Sequence, residues 1–575
     1  MNARLVAFFD SALEACLLVL AFVLPLAVEL KAYDPYSLKA ALLAAGSALA
    51  AGLWLARALE AGRVEVPAPR AGLAGLGALL LVWTVLRGGA GEAGAVRAAG
   101  PALFLIALLG PGSAGFARSL CWAALSAAAL AGGYAVTARL GLDPLPWQPT
   151  AGTLGSPGLL AAALLAAVPL AAPLLLDPEA PGYRRALAGF LGAVCVAGLA
   201  AAAAALDAAA LAAAMPAKAE AVRAAAAMLL QSPWSGIGAG ELPIRLLWGR
   251  PEAAAALLPV PPSEPLATAA ELGLPAAALW GVLILGSVSL ALLDARRRLA
   301  AGDKRNASLA GAQGASLILL VGAGLLTGAS YAPAPGVWLW LLAGSAAALA
   351  LEEGASVVRA LPLPLPPAPR RLLMLPLAAA VAVLTAGPLL RAADQLRLNR
   401  GAAEEEAGEG GRALELYRSI APDSLSGLQA RLRGTRILLE GEGTAAAEEA
   451  RAFIAQAAAV DARFGDVLYL RAEADRRRKA WAEAAKGFEL YAALNPADAR
   501  TYKPLAELRQ TLGDRQAAVD AAQALVRLSP ESPEAWRFYA EQVHTIDPDA
   551  ARPLYKKAAQ VQDLATTRRD TQLIP

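Results

Sequence analysis

Residues 152–172 read GTLGSPGLLAAALLAAVPLAA, a short turn rich in glycine followed directly by an apolar run. An apolar run of this kind predicts a helix within a membrane, because a spanning helix needs about 20 largely apolar residues. The whole chain has the same character: 57% of its 575 residues are hydrophobic, and the mean hydropathy is +0.48. This composition excludes an ordinary soluble protein and predicts a polytopic membrane protein.

The sequence contains eleven candidate spans, of which the fourth is the shortest. They lie near 13–30, 39–57, 71–87, 98–112, 117–138, 157–176, 186–206, 267–293, 306–328, 335–351 and 372–391. The first is interpreted as a retained span, because it lacks a convincing small-residue cleavage site. We therefore predict an all-α fold, in which a polytopic bundle fills residues 1–391.

Basic residues in the short connections predict the orientation of the bundle. If the spans alternate, four clusters fall on one side: Arg57, Arg63 and Arg70; Arg184 and Arg185; Arg296, Arg297, Arg298, Lys304 and Arg305; and Arg359, Arg370 and Arg371. The positive-inside rule makes that side cytoplasmic. We therefore predict a multi-pass protein of a bacterial cytoplasmic (inner) membrane, with a cytoplasmic amino terminus and everything after about residue 392 outside.

The turn at 152–158 and the long connection at 207–266 then both lie at the outer face. Non-helical backbone near membrane level is tolerated where protein buries it or where it lines a wet cavity. The sequence therefore predicts a site at the outer membrane–water boundary.

A 34-residue period appears after the last span. Pro496 and Pro530 are one period apart, as are Tyr502 and Trp536. Helix pairs with aromatic and small residues at this spacing resemble tetratricopeptide repeats, which form a soluble α-solenoid with a concave surface for proteins or peptides. We predict a repeat domain at 465–575 and a helical linker or degenerate repeats at 392–464, with a protein or peptide partner for the repeats.

Charge and cysteine content exclude other classes of partner. The net charge of +3 carries no electrostatic footprint for nucleic acid. Cys16, Cys121 and Cys195 lie in apolar runs and read as small buried hydrophobes. They form no metal-ligand spacing or disulfide framework, and we expect no metal and no cofactor.

Three segments at the outer face resemble the O-antigen ligase and polymerase-like family of membrane glycan transferases. They are GTLGSPG at 152–158, KAEAVRAAAAMLLQSPWSGIGAGEL at 218–242 and PPSEPLATAAELGLPAAALWG at 261–281. The resemblance implies transfer of a polyprenyl-pyrophosphate-linked glycan to an acceptor hydroxyl without a metal ion, with membrane lipids as further partners.

Individual positions keep or depart from the motifs of that family. Gly152, Thr153, Gly155, Pro157, Pro233, Gly236, Gly238, Gly240, Leu266, Glu271, Leu272 and Gly273 keep them. Ser156 and Gly158 replace asparagines, and Lys218 replaces the leading arginine of the second segment. Pro262 and Ser263 stand where the family has His-Asn, and the chain's one histidine, His544, lies in the repeats. The catalytic histidine of the family is therefore absent.

The chemistry implied by the resemblance needs cations for pyrophosphate and a base for the acceptor proton. Glu264 is the candidate base, and Glu271 is either a second functional carboxylate or a helix amino-terminal carboxylate favoured by the dipole. The candidate substrate-binding residues are Lys218, Arg223, Arg245, Arg250, Gly152, Thr153, Gly155, Ser156, Gly236, Gly238 and Gly240.

Two functions stay open. The first is an active ligase or polymerase of lipid-linked glycans; the second is a non-catalytic membrane scaffold whose repeats recruit envelope or secretion proteins. A transporter is a weaker alternative, because the sequence shows no paired intramembrane charges and no clear inverted repeat.

Overall fold

The computed structural model describes residues 3–28, 37–88, 92–110, 113–142, 152–205, 208–242, 263–352, 358–363, 366–422, 425–441, 443–460, 462 and 464–572. They form two compact units, and the division falls between Gln395 and Leu396, within the helix Met374–Glu406. Nearly all the described secondary structure is helical, so the predicted all-α class is confirmed.

The first unit is a bundle of apolar helices. Its elements are α1 (Ala3–Leu26), α2 (Ser37–Ala61), β1 (Arg63–Pro67), α3 (Ala71–Gly88), α4 (Glu92–Leu109), α5 (Ala114–Arg139), α6 (Pro157–Ala167), α7 (Ala172–Leu175), α8 (Gly182–Ala204), α9 (Ala208–Gln231), α10 (Glu264–Leu272), α11 (Leu274–Ala300), α12 (Lys304–Thr327), α13 (Pro333–Ala350), β2 (Val358–Pro362), α14 (Pro367–Leu372) and α15 (Met374–Glu406).

Ten stretches of helix in the described residues are long and apolar enough to cross a membrane. They correspond to ten of the eleven predicted spans. The remaining predicted span, 98–112, falls on α4, whose described part Gly94–Leu109 is a shorter apolar helix. Helix α13 is the central element, because all of its residues are buried.

Arginine side chains bring several helix termini together at one end of this bundle, called the basic end below. Arg70 donates from Nη1 to the carbonyl of Leu108 and from Nη2 to the carbonyl of Ala348, both at 2.9 Å. Arg298 donates to the carbonyl of Leu349 at 3.2 Å. The last carbonyls of a helix lack partners within it, so these bonds satisfy the carboxyl ends of α4 and α13.

A two-stranded antiparallel ribbon also lies at the basic end, and the sequence analysis did not predict it. Arg63 pairs with Pro362, and Pro67 pairs with Val358. The ribbon joins the connection after α2 to the connection before α14. Two of the four predicted basic clusters therefore lie on the same side of the bundle.

The second unit is a series of helix pairs. Its helices are α16 (Gly410–Arg418), α17 (Leu425–Glu440), α18 (Thr444–Val460), α19 (Gly465–Arg477), α20 (Trp481–Leu494), α21 (Tyr502–Thr511), α22 (Arg515–Leu528), α23 (Pro533–His544) and α24 (Pro548–Gln572). The second helices of the last three pairs begin at Trp481, Arg515 and Pro548, close to the 34-residue period of tetratricopeptide repeats. These are TPR-like repeats, as predicted.

Two local features of the repeats have energetic consequences. Lys479 adopts a left-handed backbone with φ +64°, at the position where the next repeat has Gly513 with φ +85°. Asp498 accepts hydrogen bonds from the Tyr491 hydroxyl at 2.7 Å and from Arg500 at 2.9 Å. Burial raises the pKa of Asp498, but these hydrogen bonds outweigh it and hold the pKa below the ordinary value of 3.8.

Candidate functional site

An arginine and two glutamates form a buried cluster at the end of the bundle opposite the basic end. Glu264 and Glu271 are 2% and 0% exposed, and both belong to the nine-residue helix α10. Seven residues make about two helical turns, so the two carboxylates lie on one face of α10. Arg97, near the start of α4, contacts both of them.

All three nitrogens of the Arg97 guanidinium contact residues of this cluster. Nη1 donates to Glu264 Oε1 at 3.1 Å, and Nη2 donates to Thr268 Oγ1 at 2.8 Å. Nε forms an ion pair with Glu271 Oε2 at 2.9 Å. The guanidinium carbon also lies 4.4 Å from the centre of the Tyr331 ring, in cation–π contact. Arg97 therefore holds both carboxylates in place.

Glu271 is surrounded by donors that stabilise its ionised form. The Tyr331 hydroxyl donates to Oε1 at 2.7 Å, and the backbone N–H groups of Gly240 and Leu242 also donate to this carboxylate. Burial is the largest influence and raises the pKa of Glu271; Arg97 and the hydrogen bonds oppose that rise only in part. Two carboxylates share one guanidinium, so the fully ionised cluster carries one net negative charge.

The structure changes the predicted setting of Glu271. The sequence analysis placed it at the start of a span near 267–293, with a helix amino-terminal carboxylate as one reading. It lies instead in the last turn of the separate helix α10, and the span α11 begins at Leu274. Gly273, with φ +87°, separates the two helices. The dipole explanation for Glu271 is therefore wrong, because the carboxyl end of a helix does not favour a negative charge.

The Gly-x-Gly-x-Gly turn at 236–240 packs against the carboxyl end of α10. Backbone N–H groups of Ile237 and Gly238 donate to the carbonyls of Ala270 and Glu271, both at 2.9 Å. Gly236 has φ +65°, and a Cβ there would lie 2.1 Å from the Glu271 carbonyl oxygen. Close backbone contact with α10 thus explains why glycine is needed at 236.

The turn at 152–158 begins helix α6. Ser156 Oγ accepts from the Leu159 N–H at 3.1 Å as the N-cap, and Pro157 occupies the first helical position. Gly155 has φ +82°, whereas a Cβ at Gly158 would meet nothing within 4 Å. The turn contacts α5, α6 and α1, and none of its residues lines the cavity beside Arg97. The hydroxyl of Thr153 is buried with no hydrogen-bond partner among the described residues.

Of the predicted cations, the two in the described residues, Lys218 and Arg223, form no ion pair with Glu264 or Glu271 there. Lys218 donates from Nζ to the carbonyl of Leu326, in the last turn of α12. Arg223 is exposed on α9. Arg245 and Arg250 lie outside the described residues. Their role as phosphate ligands stays a prediction.

A small cavity of about 40 Å³ lies beside the cluster. Its walls include Arg97, Glu264, Thr268, Tyr331 and Trp280. Glu264 Oε2 and Trp280 Nε1 are both buried without a hydrogen-bond partner among the described residues. One is an acceptor and the other a donor, and such groups cost free energy unless something pairs with them. The volume admits about three water molecules at roughly 10–15 Å³ each, or the reacting end of a larger molecule.

Sequence reasoning missed Arg97 and Tyr331. One feature of the sequence indicates that Arg97 has a specific role. It is a single cation at the edge of an apolar run, next to the predicted span 98–112, and an ionisable residue there is costly unless it is paired. No local pattern indicates its partner, because Glu264 lies more than 160 residues away. The sequence analysis assigned no role to Tyr331.

No family model and no curated protein matches the chain. Solved structures of MamA match part of it. A crystal structure of MamA is 15% identical, covers 29% of this chain and 96% of its own, and has a TM-score of 0.27. The "MamA 41-end" structure from Desulfovibrio magneticus RS-1 is 18% identical, covers 30% of this chain and 95% of its own, and also has a TM-score of 0.27. Similarity at this level assigns neither a family nor a function.

Proposed function

We propose that the membrane unit transfers a glycan from a polyprenyl pyrophosphate carrier to an acceptor hydroxyl, at the outer face of a bacterial cytoplasmic membrane. The observation that carries the proposal is the unpaired Glu264 Oε2, which belongs to a buried carboxylate on the wall of a cavity. A general base must reach the proton that it removes, and an unpaired carboxylate oxygen beside a cavity meets that condition. The likeness of the three outer segments to glycan transferases supplies the reaction class.

In the proposed reaction the acceptor hydroxyl enters the cavity and donates to Glu264 Oε2. The Trp280 indole N–H donates to the same hydroxyl oxygen, so both unpaired groups gain partners. The oxygen attacks the anomeric carbon of the donor glycan while Glu264 takes the proton. The bond from that carbon to the pyrophosphate breaks, and the lipid pyrophosphate leaves with the electron pair. Arg97 is a positioning residue, since its donors hold the two glutamates.

The pyrophosphate itself needs cations outside the cluster. Arg223 is exposed and has no ion-pair partner among the described residues, and Arg245 and Arg250 belong to the same predicted outer connection. The volume beside Glu264 holds only the reacting hydroxyl, so the remainder of the glycan lies outside it. With the basic end on the cytoplasmic side, the cluster faces the exterior, where lipid-linked glycans are transferred.

The experiment deletes the gene, profiles surface glycans and complements with variants whose membrane abundance is checked by immunoblot. We expect Glu264→Gln to accumulate normally and to lose glycan transfer by at least about a hundredfold, as general-base catalysis predicts. Glu534→Gln, an exposed carboxylate in the repeats, is the matched control. Full complementation by Glu264→Gln contradicts the base assignment.

The second candidate is a non-catalytic membrane scaffold. The observation in its favour is that the turn glycines, Lys218 and Arg97 are all used in internal contacts, while the TPR-like repeats provide a protein-interaction domain. In the same deletion strain, unchanged surface glycans together with loss of an envelope protein from the membrane support the scaffold and contradict the transferase.

A further inference from the structure

A second cavity, of about 210 Å³, lies at the basic end of the bundle. It is far larger than the one beside Glu264 and has room for roughly fifteen to twenty water molecules at about 10–15 Å³ each. Three arginines belong to its walls: Arg118, Arg184 and Arg305. The proposed transferase reaction does not use it.

Each of these arginines comes from the first turns of a different membrane-spanning helix. Arg118 is the fifth residue of α5, Arg184 is the third residue of α8, and Arg305 is the second residue of α12. The amino terminus of a helix carries partial positive charge from its unpaired N–H groups, which favours an anion. Three guanidinium groups therefore place positive charge at one cavity. The amino terminus of α8 has no side-chain cap and adds to that charge, whereas the amino terminus of α12 is capped by the Asp303 carboxylate.

The acidic residues nearby do not balance this charge. Arg305 is paired with Asp177, with Nε 3.0 Å from Oδ1, and also with Glu179. Arg118 donates to the neutral amide oxygen of Asn306 at 2.9 Å. Arg184 is exposed and has no carboxylate at ion-pair distance among the described residues. Two of the three guanidinium charges therefore lack an acidic counterpart in the described part of the chain.

We propose that this cavity binds a phosphate group, either as the headgroup of an anionic lipid or as a free phosphate. Guanidinium groups bind phosphate oxygens through two parallel hydrogen bonds, and basic pockets between spanning helices bind anionic headgroups. Half-buried Trp122 on the wall supplies the amphipathic ring that is typical of the membrane–water boundary. The hydroxyl of Ser119 is a further potential donor.

The test uses the full chain in phosphatidylcholine nanodiscs, with or without phosphatidylglycerol, and follows thermal unfolding together with lipid retention by native mass spectrometry. A parallel series adds inorganic phosphate to the phosphatidylcholine discs. Stabilisation by phosphatidylglycerol alone identifies a lipid headgroup, and stabilisation by inorganic phosphate identifies a free anion. If neither stabilises the protein, the proposal is wrong.

Variants separate the cavity from general surface charge. A charged hydrogen bond contributes about 1.5–3 kcal/mol, so Arg118→Gln or Arg184→Gln should each weaken binding about tenfold or more. Arg185→Gln, next to Arg184 but not on the cavity wall, is the matched control and should bind as the wild type does. Equal weakening by Arg185→Gln overturns the proposal.

Asp177→Asn should change the affinity for the anion in the opposite direction from the arginine variants. It removes one of the two carboxylates that pair with Arg305, and with it a negative charge on the cavity wall, while Glu179 still pairs with Arg305. We expect tighter binding of the same probe, whereas damage to the fold would weaken it. Weaker binding by a stably folded Asp177→Asn protein counts against the proposal.

Discussion

Replacing Arg97 with methionine removes the cation that two buried carboxylates share. The side chain keeps a similar length and an apolar stem, so the change acts chiefly on charge and hydrogen bonding. Removing one partner of a buried ion pair costs about 3–5 kcal/mol, because the other charge is left in a poorly solvated place. Arg97 serves Glu264 and Glu271 together. We therefore expect a loss in the free energy of unfolding of about 5 kcal/mol near pH 8.

The loss of stability caused by Arg97→Met should depend on pH. Burial raises the pKa of Glu271 in the native protein above the ordinary value of 4.5, so the native state holds this proton at pH values where the unfolded chain has released it. The stability gained from this proton is present below the pKa of Glu271 in the unfolded chain and is lost as pH rises through its pKa in the native protein. Without Arg97 this excess proton binding grows. The destabilisation should then shrink as pH falls from 8 toward 5, by up to about 1.4 kcal/mol per pH unit for each extra proton.

The measurement is reversible unfolding in mixed micelles by SDS titration, followed by tryptophan fluorescence at several pH values. The triple variant Arg97→Met, Glu264→Gln, Glu271→Gln removes all charge from the cluster and should recover to within about 2 kcal/mol of the wild type. Arg223→Met removes an exposed arginine and should stay within about 0.5 kcal/mol. A triple variant no more stable than Arg97→Met, or a loss independent of pH, would refute the reasoning.

Three further changes test other parts of the structure by the same unfolding measurement. Gly236→Ala should lower the free energy of unfolding by about 1–3 kcal/mol or more, because its backbone is left-handed and a Cβ would overlap a carbonyl. The control Gly158→Ala has open space around it and should change that free energy by less than about 0.5 kcal/mol. Equal losses in the two variants would contradict the close packing of Gly236 on α10. Lys479→Gly should stabilise the repeats by about 1 kcal/mol, because glycine adopts the left-handed backbone conformation without strain, as Gly513 does in the next repeat. Destabilisation by Lys479→Gly would contradict this prediction. The native pKa of Asp498 is lowered, so its contribution to the free energy of unfolding is present above pH 3.8 and is lost as pH falls below that value. Asp498→Asn should abolish this acid sensitivity. An unchanged pH profile of stability would show that the carboxylate contributes nothing.

Most of the architecture could be predicted from the sequence because its signals are local. A spanning helix is a continuous apolar run, and a helical repeat shows a fixed period, so neither requires knowledge of the distant chain. The short helix α4 is the partial exception. Its apolar run begins only after Arg97 and is short, so it resembles a weak span, although α4 forms part of the wall of the site.

The site was harder to predict because its partners are far apart in sequence. Glu264 and Glu271 were found from their position in a segment predicted to lie at the outer face, but no local pattern pairs them with Arg97. The glycines at 236–240 were read as a ligand turn, although they pack on the end of α10. A glycine-rich turn has the same sequence whether it approaches a ligand or another backbone, so only the fold distinguishes the two uses.

The ribbon between β1 and β2 has a consequence for biosynthesis. Its two strands are roughly three hundred residues apart. At about 5–20 residues per second of translation, β1 leaves the ribosome some 15–60 s before its partner exists. During that interval its backbone edge has no strand to pair with, and unpaired edges attract foreign strands. The ribbon therefore closes late in the assembly of the nascent bundle, and a chaperone or the translocation machinery that shields residues 63–67 would be most useful in that interval.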